Sequence, residues 1–92
     1  MEDGRTAEQT IIQNFDTLKQ ADKKGVLSGH MGRGIMQEIK DTDDNDKLVE
    51  LTESYMRPIE NSFSEDFEQE VDELRKALDE LIETQYFRNQ KK

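Results

Sequence analysis

A chain of 92 residues with a net charge of -9, no cysteine and one histidine is one domain at most, and buries only somewhat over ~60% of the surface its unfolded form exposes. Without cysteine there are no disulfides, thiolate metal sites or thiol nucleophiles, and His30 alone cannot build a multi-histidine centre; no catalytic residue and no cofactor is expected. Hydrophobic residues are 32% against 38% charged, so the core is thin and assembly into a homo-oligomer would supply further burial.

The charge is uneven: residues 1–40 carry six acids and six bases, residues 41–92 sixteen acids and seven bases. Such an excess argues against direct binding to nucleic acid or to an anionic membrane, and for a basic protein partner or for solubility alone. No basic-then-apolar leader opens the chain and no apolar run approaches the ~20 residues that span a bilayer. A soluble, cytoplasmic protein is expected.

Thr6 followed three residues later by Gln9 reads as a capping box, and Ile11, Ile12, Phe15 and Leu18 recur at helical spacing until Gly25 stops the pattern. The spacing predicts a helix over about 7–23. Residues 25–34, GVLSGHMGRG, hold four of the five glycines and predict a loop followed by a short helix, about 31–40, with Leu27, Met31, Ile35 and Ile39 at steps of four. A P-loop would require a lysine and a hydroxyl after the glycines, where Ile35 and Met36 stand. His30 reads as a surface or loop histidine, with no second ligand at helical spacing.

Leu48, Leu51, Tyr55 and Ile59, widened by Val49 and Met56, mark a third helix over about 46–58, which Pro58 ends or kinks. Ser62 with Glu65 is a second capping-box match. From there Phe67, Val71, Leu74, Leu78 and Leu81 step by four, three, four and three along a helix of about 63–87. These five are core or self-association positions. Phe63, Ile82 and Phe87 spread the apolar face wider than a two-stranded seam needs, so the expected fold is all-α: a small three- or four-helix bundle with a long C-terminal amphipathic helix, or a helical dimer built on it. Residues 1–5 and 88–92 are expected to be flexible. The methionines and phenylalanines read as core, Tyr55 and Tyr86 as interface anchors at its edge.

Two acidic stretches bear on function. DTDDNDKLVELT, residues 41–52, resembles the calcium-binding loop of EF-hand proteins at Asp41, Asp43, Asn45 and Leu48. It departs at Asp46, in the place of the turn glycine, and at Thr52, in the place of the bidentate glutamate. The stronger reading is a helix start, with Asp43 or Asp44 as cap and Asp46 in the first turn. Asp41, Asp43 and Asn45 remain a weak metal candidate and imply at most a divalent-cation-responsive regulator.

In SEDFEQEVDEL, residues 64–74, six carboxylates (Glu65, Asp66, Glu68, Glu70, Asp72 and Glu73) fall along about 12 Å of helix, one per ~2 Å. Duplex DNA carries one charge per ~1.7 Å. A solvated face is the plain account, but dipole stabilisation fades after the first turn, and Asp66 with Glu70 and Glu68 with Asp72 repel at helical neighbour spacing. These six are the candidate partner-binding surface. The expected function is that of a non-enzymatic acidic helical protein acting by protein–protein binding, as inhibitor, adaptor or assembly subunit. The narrower alternative is a nucleic-acid mimic that inhibits a basic DNA- or RNA-binding protein.

Overall fold

In the computed structural model, which describes residues 6–27 and 29–91, Thr6 opens α1 (Ala7–Gln20) with the expected reciprocal cap. Its hydroxyl oxygen accepts from the Gln9 amide at 3.1 Å, and Gln9 Oε1 accepts from the Thr6 amide at 3.0 Å. The helix stops three residues short of the expected end at 23 because Asp22 closes the next turn itself. Its carboxylate accepts from the amides of Val26 (3.0 Å) and Leu27 (2.8 Å), while Lys19 Nζ donates to the Leu27 carbonyl at 2.7 Å. Gly25, at φ 72°, supplies the left-handed residue that this turn requires.

Helix α2 (Met31–Asp41) forms despite two internal glycines. Gly32 has a packing reason: a Cβ there would lie 3.1 Å from Phe15 Cδ2, so its absence lets α2 close onto α1. Ile35, Met36 and Ile39 are buried behind it.

The two expectations for residues 58–67 are corrected. Helix α3 (Asn45–Phe63) does not end at 58 but continues past Pro58 to Phe63, and α4 (Glu68–Gln90) starts at 68 rather than 63. Pro58 is exposed, as is Ser54, whose carbonyl loses its donor to the proline ring; on the solvent side water can serve it. Two buried residues beyond the proline, Ile59 and Phe63, hold the last turn in place. Ser62 is therefore inside a helix and its capping box with Glu65 does not form. The chain turns at residues 64–66 instead, where the rings of Phe63 and Phe67 pack edge to face with centroids 6.1 Å apart.

Residues 1–5 and Lys92, expected to be flexible, lie outside the described residues. Arg88, Asn89 and Gln90 continue α4, with Lys91 as its cap.

The four helices alternate in direction. Gly32 against Phe15 and Lys40 paired with Glu8 at 3.3 Å set α2 antiparallel to α1. Arg75, ion-paired to Glu53 at 3.2 Å and to Glu60, and Asn89 bonded to Asn45 at 2.9 Å set α4 antiparallel to α3. The fold is an all-α four-helix bundle. Helix α4 touches all three others and packs most extensively on α1. One core runs through the bundle, with Ile11, Leu18, Ile35, Leu48, Met56, Ile59, Leu74 and Leu78 fully enclosed. No described helix is long and apolar enough to cross a membrane.

Candidate functional site

The five-residue stripe of α4 is spent inside the molecule. Val71, Leu74 and Leu78 are buried, and Phe67 and Leu81 pack against the same core. The solvent side of α4 is divided in two: carboxylates gather around its beginning, and apolar side chains emerge near its end.

At the beginning, Glu65 and Asp66 sit in the turn between α3 and α4, not on the helix. Together with Glu68, Glu70 and Asp72 they line one open concavity. Among the described residues, Asp72 alone of these five makes an ion pair, with Lys76 at 3.0 Å. Glu73 stands apart: its Oε2 accepts a 3.5 Å hydrogen bond from Asn14 Nδ2 of α1, on the flank that faces the bundle. Of the six carboxylates, then, five share a surface and one is structural. Lys23 and Lys24, from the turn after α1, share a neighbouring depression with Asp66, Phe63 and Phe67, so cations border the acidic surface on that side.

At the other end of the bundle the aspartate-rich connection is a helix start. Asp44 caps α3 by accepting from the Asp46 amide at 3.0 Å. Asn45 Oδ1 accepts from Asn89 Nδ2, which also donates to the Thr42 carbonyl at 3.2 Å. Asp41 accepts from Gln37 Nε2 at 3.1 Å. Asp41 and Asn45 of the weak metal candidate thus serve neighbouring groups, and no cluster of three or more His, Asp or Glu side chains suited to a metal occurs among the described residues. Thr52, at the place of the missing glutamate, is buried and bonds back to the Leu48 carbonyl at 3.1 Å.

His30 is exposed beside the first turn of α2 and makes no capping bond through its side chain. Tyr55 is half-buried, and its hydroxyl donates to Glu38 Oε1 of α2 at 2.9 Å. Partial burial, and then the bond to Glu38 and its negative charge, push that phenol up from its ordinary range. It ties helices together within the molecule.

The chain of amides Gln85, Asn89 and Asn45, with Gln85 Nε2 donating to Asn89 Oδ1 at 3.0 Å, was not foreseen. Gln85 follows Leu81 by four residues and continues the apolar row, so a glutamine at an inward position was the available signal. No protein-family model, no curated protein and no solved structure matches the chain.

Proposed function

We propose that the protein acts without catalysis, by binding a basic protein partner at the acidic surface around the α3–α4 turn, as an inhibitor, adaptor or assembly subunit. The observation that carries this reading is the convergence of Glu65, Asp66, Glu68, Glu70 and Asp72 on one open concavity, with a cation on only one of them among the described residues. Like charges held this close repel. A partner's lysines and arginines would relieve that repulsion on docking and would be steered toward the surface at low ionic strength.

The test is affinity capture from the native host's lysate at low and high salt, with two baits: the protein itself and its E65Q/D66N/E68Q/E70Q/D72N variant. The expected result is a partner retained by the first bait at low salt, lost at high salt and missed by the second. Recovery of a DNA- or RNA-binding protein under those conditions would sharpen the role to mimicry of nucleic acid. Equal recovery by both baits at both salts would reduce the acidic surface to solvation.

A further inference from the structure

The only two large hydrophobic residues that stand exposed among the described residues are Phe87, at 60%, and Val49, at 51%. Phe87 does not stand alone. With half-buried Ile82 and Tyr86 it forms the apolar part of an open depression on the last turns of α4, whose remaining lining is Asp79, Glu83 and Gln90. Val49, on α3, lies outside the lining of that depression, but helix geometry places it toward the same end of the α3–α4 seam. Arg75 reaches Glu53 and Glu60 across the seam between α3 and α4; Val49 lies one turn before Glu53, and Ile82 two turns beyond Arg75. Because the helices run antiparallel, those steps lead toward the same end of the seam.

The structure therefore carries a strip of apolar side chains edged by carboxylates, and we propose that it docks a cationic amphipathic helix of a partner protein. The apolar face of that helix would cover Phe87, Tyr86 and Ile82, and its flanking lysines or arginines would meet Asp79 and Glu83. Charge decides the occupant. A second copy of this chain brings a net charge of -9, which the carboxylates at the edge of the strip repel. A cationic helix is drawn in by Asp79 and Glu83 instead.

This deepens the binding-protein reading by giving the partner a second, apolar contact about 28 Å along α4 from Glu68 to Phe87, and the two can be tested apart. The probe is a helical peptide of about 14 residues built of leucine on one face and lysine on the other, with a leucine and glutamate peptide of the same pattern as control. Binding is followed by NMR shifts of the intact protein.

The expected result is that the lysine peptide moves the Val49 and Ile82 methyl signals and the Tyr86 and Phe87 ring signals. F87S, which alters an exposed side chain and leaves the core untouched, should weaken binding by about tenfold. D79K/E83K should weaken it likewise, with the native spectrum kept. The same response in the variant neutral at residues 65–72 would hold this inference even if the acidic turn has no partner. Shifts confined to residues 65–72 would overturn it and leave the acidic surface as the only contact. Equal binding of the glutamate peptide, no binding at all, or movement of the same signals with protein concentration alone would also overturn it, the last because a second copy would then be the occupant.

Discussion

The Asp22 carboxylate accepts hydrogen bonds from the backbone amides of Leu27 and Val26. The Leu27 amide holds the carboxyl below its ordinary value; slight burial opposes this, while the Val26 amide and the Lys19 charge reinforce it. A carboxyl whose folded value lies below its unfolded value stabilises the folded chain above the unfolded value, and that stability is lost as pH falls through the folded value. In an NMR titration the Val26 and Leu27 amides should therefore hold their shifts until the pH drops below the usual carboxylate range, and then move together. In Asp22→Ala the transition should vanish and the melting temperature at neutral pH should fall. Movement of those amides in step with fully exposed carboxylates would show that Asp22 does not close this turn.

At the level of the element, the structure departs from expectation where two local rules compete. Pro58 counts against a helix interior by about 3 kcal/mol, and Ser62 with Glu65 favours a new start. Ile59 and Phe63 outweigh both, because each is buried only if α3 continues past the proline. Replacing Pro58 by Ala should restore the donor for the Ser54 carbonyl and raise stability by about 1–3 kcal/mol, read as a higher midpoint in urea unfolding. A loss of stability would mean that the proline sets a bend on which the packing of Phe63 depends. Local signals elsewhere were sufficient: the Thr6 cap, the start of α2 near residue 31 and the apolar stripe of α4 are all legible, since each rests on neighbours within a turn. What could not be read was which side of α4 is covered by α1 and which by α3, because that depends on residues far along the chain. Spacing along α4 consequently groups Glu73 with the acidic surface, although Asn14 of α1 holds it. Phe87, some 240° around the helix from Leu81 at about 100° per residue, could have been marked as outward-facing from spacing alone.

On the scale of the molecule, a charge of -9 sits on a body 42 × 28 × 20 Å in extent, with the ion pairs exposed or half-exposed at its surface. Surface pairs are each worth little, so repulsion among the carboxylates should outweigh them. Raising sodium chloride from about 0.01 to 1 M shortens the screening length from ~30 to ~3 Å. The melting temperature should rise; a relief of about 1 kcal/mol corresponds to roughly 4–8 °C in a domain of this size. A fall would show that the contacts of Arg75 with Glu53 and Glu60 matter more than the excess of acid.

Helix α4 touches every other helix and is also the last of them to be made. While α1, α2 and α3 are leaving the ribosome, the apolar sides that will meet Leu74 and Leu78 have nothing to lie against. Synthesis therefore delivers α1, α2 and α3, which contact one another only sparsely, before the helix that packs most extensively against them, so the core closes only once α4 has been made.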